Sequence, residues 1–170
     1  MSNPECYESR VVVSAETRFH EAGHAVGAIV LDIGLDPEGI IINSNSDAAT
    51  HVRDLPLNEQ TAEWCLRRAA VKLSGGAAEM RIRNQAFHPD TFESDSHYLR
   101  DYNEAREVLW KFEAYGSECR PERVDENLNE ALVMAHDLIP ENWSDVEKVA
   151  QTLISKAALS ASEICTILAG

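Results

Sequence analysis

The chain has 170 residues, of which 44% are hydrophobic and 26% charged, and its formal net charge is −14. That length suits one globular domain with a sizeable core. The negative charge argues against nucleic acid and anionic membranes as partners, and no apolar run approaches the 18 or so residues of a membrane helix. The four cysteines are scattered without a C-x-x-C pair, so we expect reduced thiols in a cytoplasmic protein.

The first predicted element is a helix behind a short lead-in. Residues 1–13 are interpreted as an N-terminal lead-in that ends in three valines. Apolar residues at helical spacing predict a helix over residues 14–33, with Ser14 in its N-cap region. Gly34 and Pro37 are expected to end this helix.

Two short strands and a second helix are predicted next. The β-branched run Ile40–Ile42 predicts a strand, and Thr50–Val52 predicts a weaker one. A helix is expected to begin near Asn58, a candidate N-cap, and to continue through Glu79. Residues 85–94 are predicted to form a loop.

Helices dominate the remainder of the chain. A helix is expected to begin at Ser94 or Ser96, and residues 121–170 predict two or three more, the last behind a capping box at Ser160–Glu163. The predicted fold class is therefore mainly α (α+β). We expect a single domain over residues 14–170, with a small β-sheet beside the first helix and a C-terminal helical bundle from about residue 121.

The first helix carries the pattern H-E-x-x-H as His20-Glu21-Ala22-Gly23-His24. Helical residues four apart lie about 40° from each other and about 6 Å apart along the axis, so both imidazoles share a face. Two histidines so placed can bind one Zn²⁺ ion, and Glu21 can act as a general base on water. A buried helix whose histidines are satisfied by hydrogen bonds is the alternative.

A catalytic zinc site needs three protein ligands and an open position, and the motif supplies two. No histidine follows His24 at the spacing H-x-x-G-x-x-H, which excludes the peptidase class that continues the motif in this way. The third ligand must therefore come from elsewhere in the chain.

The sequence resembles the FtsH-type zinc metallopeptidases, family M41. Phe19–Ala25 is similar to their H-E-A-G-H-A signature, and Leu73–Glu79 to their L-G-G-R-A-A-E segment. Ser94–Tyr98 occupies the place of a third landmark, an aspartate that opens a helix, and Ala105-Arg106 follows it. The similarity covers roughly residues 14–168.

The resemblance implies the remaining site residues. Counting back from Ala105, the aspartate position falls on His97, and Asp95 lies two residues earlier. The predicted third ligand is thus His97 or Asp95. In the alternative neither binds and Asp95 only caps the helix. Glu79 is predicted to accept a hydrogen bond from a ligand histidine, or else to be a solvated helix residue.

The resemblance implies a zinc-dependent peptidase that hydrolyses unfolded or small polypeptides. The alternative is a catalytically weak metal-binding or regulatory module. The family's proteases carry an ATPase module, but no G-x-x-x-x-G-K-[ST] P-loop occurs here, so we expect no ATP binding by this chain. A homo-oligomer or a separate ATPase partner is left open.

Overall fold

A computed structural model describes residues 13–45, 47–115 and 120–170. Nearly all of the predicted lead-in, residues 1–12, lies outside the described residues. The described elements, in chain order, are the helices and strands α1 (Ala15–Val30), β1 (Leu35–Ser44), β2 (Asp47–Val52), α2 (Ala62–Ile82), α3 (Pro89–Ser94), α4 (Ser96–Tyr115), α5 (Pro121–Glu141), α6 (Trp143–Thr152), β3 (Ala158–Leu159) and α7 (Ala161–Ala169).

Helix α1 begins where the sequence indicates and ends earlier. The Ser14 hydroxyl accepts a hydrogen bond from the backbone N–H of Thr17 at 3.1 Å, an N-cap. The helix ends at Val30 because Asp32 and Gly34 have positive φ angles of 56° and 86°, which no helix continues through. Pro37 plays no part in this ending, because it lies within β1.

The sheet is antiparallel and has the strand order β2-β1-β3. Ile41 at its centre pairs with Ala49 on one side and Ala158 on the other. Strands β1 and β2 both pack against α1, so the small sheet lies beside the motif helix. The prediction of a mainly helical α+β fold is confirmed.

Helices α1 and α2 cross in close contact because both carry small residues at the crossing. A Cβ on Gly23 would lie 2.6 Å from the Ser74 carbonyl oxygen and 3.1 Å from the Gly75 Cα, and a Cβ on Gly27 would lie 2.8 Å from the Ser74 Oγ. Larger side chains would separate the two backbones. The glycines therefore set the distance between the motif helix and α2.

The remaining helices surround this pair. Helices α4 and α5 pack on α2, α6 packs on α1, and α7 packs on β1. One buried apolar cluster lies between α1, the sheet and the C-terminal helices, and a second lies between α2, α4 and α5. Within the described part of the chain, no helix is both long and apolar enough to span a membrane.

Three local features refine the predicted elements. Thr61, rather than Asn58, caps α2 and accepts a hydrogen bond from the Trp64 N–H at 3.1 Å. The predicted loop over residues 85–94 contains the short helix α3. The predicted capping box is present, with reciprocal hydrogen bonds between Ser160 and Glu163.

Candidate metal centre

The two motif histidines share one face of α1. Their ring centroids lie 4.7 Å apart with an interplanar angle of 81°, and the two Nε2 atoms approach to 3.1 Å. His24 is buried and His20 is partly buried. The helical spacing of the motif thus brings two imidazole nitrogens to one point.

Hydrogen bonds at the far side of each ring determine which nitrogen carries the proton. The Nδ1 of His24 lies 2.8 Å from the Val71 carbonyl oxygen, which can only accept, so this nitrogen donates. The Nδ1 of His20 donates to the Glu79 carboxylate at 3.0 Å, and Arg83 holds that carboxylate at 2.6 Å. In the neutral rings, both Nε2 atoms therefore present lone pairs to each other.

Asp101, on α4, completes the cluster. Its Oδ2 lies 2.9 Å from the Nε2 of His20 and 3.4 Å from that of His24. This oxygen is buried and has no partner in hydrogen-bonding geometry among the described residues. Two lone pairs and a carboxylate oxygen thus converge on one point, an arrangement that repels itself unless a cation lies between them.

The donor set fits zinc. The ligand atoms of His20, His24 and Asp101 all lie within 4.8 Å of one another. Ligands about 2.0–2.1 Å from a tetrahedral Zn²⁺ lie ~3.3 Å apart, and the three separations here are 2.9, 3.1 and 3.4 Å. Two histidines and one carboxylate also leave a fourth position open, as a catalytic zinc site requires.

The pKa values follow from the same geometry. Burial alone would lower the pKa of His20, but the Asp101 and Glu79 carboxylates outweigh it and raise that pKa to about 10. Burial would raise the pKa of Asp101, and the two histidines hold it far below its usual range instead. Without a metal, a proton on His20 supplies the positive charge that the cluster needs.

Glu21 is buried beside the cluster and is held by the sheet. The Thr50 hydroxyl, on β2, lies 2.7 Å from the Glu21 Oε2 and 2.9 Å from its carbonyl oxygen, and it can donate to one of them at a time. The other oxygen, Oε1, has no hydrogen bond from the residues that the structure describes. Glu21 therefore has one anchored oxygen and one available for proton transfer.

The structure places neither predicted third ligand in the cluster. His97 is exposed at the rim of the cavity. The Asp95 Oδ1 accepts a hydrogen bond from the His97 N–H at 2.9 Å, as a cap at the start of α4. Asp101, about one helical turn beyond His97 on α4, occupies the place in the cluster that is predicted for His97 or Asp95.

The sequence does contain a signal for Asp101. The buried face of α4 consists of Tyr98, Asp101, Ala105 and Leu109, with Glu113 one turn further on. Asp101 is thus an acidic residue in phase with the apolar stripe, where a carboxylate needs a partner. Counting along the stripe, rather than back from Ala105-Arg106 to the helix start, would have identified it.

Of the two alternatives predicted for Glu79, the structure has the contact with a motif histidine. Gly75, in the same segment, leaves room for the His24 ring, since a Cβ there would overlap the imidazole. The segment Leu73–Glu79 therefore contributes both the space and the hydrogen-bond acceptor that orient the two histidines.

A cavity of about 350 Å³ opens above the cluster. Its walls come from α1, β2, α2 and α4, and the side chains of the three candidate ligands and of Glu21 line it. No family model matches the chain, and no curated protein matches it.

Proposed function

We propose that this chain is a zinc-dependent metallopeptidase that hydrolyses peptide bonds of unfolded or small polypeptides. The observation that carries the proposal is the convergence of His20, His24 and the Asp101 Oδ2, which has no hydrogen-bond partner among the described residues. Glu21 lies beside this cluster and is held through one carboxylate oxygen by Thr50. The resemblance of the motif and of Leu73–Glu79 to the FtsH-type peptidases supports the choice of a peptide bond.

His20, His24 and Asp101 would hold the ion. When bound, zinc activates a water molecule and polarises a carbonyl group. Glu21 accepts a proton at Oε1 and later gives it to the leaving amine. Thr50 keeps Glu21 oriented through Oε2, while Glu79 and the Val71 carbonyl hold the imidazoles in the tautomers that binding requires.

The position of strand β2 favours a peptide as the substrate. It lies at the edge of the sheet, with β1 as its described strand neighbour, and Ala48, Ala49 and Thr50 line the cavity. An extended peptide can pair with such an edge through main-chain hydrogen bonds. Because Thr50 contacts Glu21, a peptide on this edge would pass close to the general base.

The proposal extends to the location, substrates and assembly of the protein. We place the peptidase in the cytoplasm, acting on peptide or protein substrates without ATP binding of its own. A homo-oligomer and a separate ATPase partner are both left open, and an ATPase partner would supply any unfolding of larger substrates.

The test combines metal analysis with hydrolysis. Protein purified without chelator is expected to contain one zinc per chain and to cleave unfolded casein, with activity lost to a chelator and restored by zinc. Glu21→Gln should keep the zinc and lose at least ~100-fold in activity, the contribution typical of a general base. Glu16→Gln is the control, because Glu16 lines the same cavity from the first turn of α1 and should leave activity intact.

The outcomes separate the two functions that the sequence allows. Retained activity in Glu21→Gln would contradict the proposed general base. Stoichiometric zinc with no hydrolysis of any peptide would favour the metal-binding module. Absence of zinc under zinc-replete conditions would contradict the metal centre itself.

A further inference from the structure

Arg68 is a buried cation that the structure leaves without a hydrogen-bond partner at two of its three nitrogens. It lies on α2, is only 7% exposed, and its Nε and Nη1 make no hydrogen bond with the described residues. Its side chain lines the same cavity as the candidate metal centre. Buried guanidinium groups are strongly unfavourable unless a carboxylate or phosphate pairs with them, so Arg68 indicates a missing anion.

The neighbouring charges do not supply that anion. Glu104 is the nearby acid on the cavity wall, and it is already held by Lys72 at 2.5 Å and by Arg100 at 3.0 Å. Burial lowers the pKa of Arg68, and the negative charges of Asp54, Glu104 and Asp36 oppose this shift only in part. Arg67, the residue before Arg68 on α2, does have partners, because it pairs with Glu63 and with the Leu31 carbonyl oxygen.

The position of Arg68 relates it to the metal centre. The carbonyl oxygen of Val71 accepts a hydrogen bond from His24. Arg68 lies three residues before Val71, which is about 4.5 Å along the axis of α2. Gly75, against the His24 ring, lies about 10 Å along the axis from Arg68. An extended peptide rises about 3.3 Å per residue, so Arg68 is within reach of a group one to three residues from a bond held at the metal centre.

We propose that Arg68 binds a carboxylate of the substrate and makes the cavity selective for peptides that carry one near the bond to be cleaved. Guanidinium binds carboxylate through two parallel hydrogen bonds, either from Nε and Nη2 or from Nη1 and Nη2, so each of the two nitrogens without a partner among the described residues is half of one such edge. The carboxylate is either the C-terminal α-carboxylate or the side chain of an aspartate or glutamate. This inference rests on the proposed function for the identity of the ligand as a peptide.

The test measures binding rather than turnover. Zinc-loaded Glu21→Gln protein is titrated calorimetrically with three acetylated tripeptides: trialanine with a free C-terminus, trialanine amide, and dialanyl-glutamate amide. At least one carboxylate peptide is expected to bind about tenfold or more tightly than trialanine amide. Preference for the free C-terminus identifies the α-carboxylate, and preference for the glutamate peptide identifies an acidic side chain.

Arg68→Gln in the same background should abolish this preference, whereas the matched control Arg67→Gln should retain it. Equal binding of all three peptides would overturn the inference, and that comparison needs no Arg68 variant to fold. A preference that persists in folded Arg68→Gln would overturn it as well, because the zinc would then be the carboxylate's partner. Either of these two results would contradict the role of Arg68 but would not affect hydrolysis by the unmodified chain. If the chain does not hydrolyse peptides but shows a carboxylate preference that depends on Arg68, only the proposed function is contradicted.

Discussion

At the scale of single residues, the candidate site is defined by which atoms carry protons. His24 donates from Nδ1 to a carbonyl oxygen and His20 donates from Nδ1 to a carboxylate. In their neutral forms both rings therefore turn an unprotonated Nε2 towards the Asp101 Oδ2, which has no partner in hydrogen-bonding geometry among the described residues. This alignment of three acceptors favours the proposed metal site over a pair of buried histidines satisfied by ordinary hydrogen bonds.

The role of Asp101 can be tested by removing its charge. Asp101→Asn keeps the shape of the side chain but replaces an anionic ligand with a neutral one, and we expect zinc affinity to fall by at least ~100-fold, the upper range for residues that only support ligands. Zinc affinity is measured by competition with a chromophoric chelator.

Asp95→Asn and His97→Ala are the controls on the same helix. Asparagine caps a helix about as well as aspartate, and His97 is exposed, so both variants should bind zinc as the unmodified chain does. A larger loss in either control than in Asp101→Asn would restore the ligand inferred from the sequence.

At the scale of secondary-structure elements, the site depends on how closely α1 and α2 approach. Gly23 and Gly27 on α1 meet Ser74 and Gly75 on α2 with no room for a Cβ. The two neighbouring glycines of α2 have different neighbours: Gly75 faces the His24 imidazole, and Gly76 faces the ring of Phe92. One glycine therefore serves the metal centre, and the other serves the packing of α2 against α3 and α4.

This difference predicts separate effects for two conservative substitutions. In each, alanine gains about 1 kcal/mol of helix propensity, but overpacking costs about 1–3 kcal/mol, so we expect a net loss of stability of up to ~2 kcal/mol. Gly75→Ala should also weaken zinc binding because its Cβ displaces the His24 ring, whereas Gly76→Ala should not.

Urea unfolding of the metal-free proteins gives the stability, and chelator competition gives the zinc affinity. Equal zinc affinities for the two folded alanine variants would contradict the assignment of Gly75 to the site.

At the scale of the whole molecule, the candidate metal centre joins parts of the chain that are distant in sequence. Its three candidate ligands come from α1 and α4, and α2 lies between the two buried clusters that these helices help to form. A ligand that binds the folded state alone stabilises it by mass action, by about 4 kcal/mol at 1,000 times the Kd. Zinc should therefore stabilise the entire fold.

We expect this stabilisation to grow with pH. The pKa of His20, raised from 6.5 to about 10 in the metal-free protein, gives stability that is complete below about pH 6.5 and is lost as pH rises towards 10. Zinc must displace that proton, so its affinity should rise about tenfold per pH unit over this window. The stability difference between zinc-bound and metal-free protein should therefore grow with pH.

Thermal unfolding at pH 6.0 and 7.5 checks this expectation. Zinc in large excess should raise Tm by roughly 8–16 °C at pH 7.5, at about 2–4 °C per kcal/mol for a domain of this size. The rise should be smaller at pH 6.0 and should vanish in His20→Ala. A zinc-induced shift that is the same at both pH values would contradict a protonated His20.

The sequence alone determined what lies within one turn of helix or one short strand. The His20-Glu21-x-x-His24 face, the Ser14 cap, the strand at Ile40–Ile42 and the Ser160–Glu163 capping box all depend on spacings of a few residues. Helical periodicity and capping chemistry are local, so the amino-acid order is enough to predict them.

Only the tertiary structure decided which distant groups meet. Asp95, His97 and Asp101 are all plausible ligands by residue type, but the rotation of α4 about its axis brings Asp101 to the histidines and leaves Asp95 as a cap. The same packing buries Arg68 in the cavity, where its Nε and Nη1 have no hydrogen-bond partner among the described residues. Helix rotation and crossing distance depend on contacts between side chains far apart in sequence, and these contacts exist only once the chain has folded.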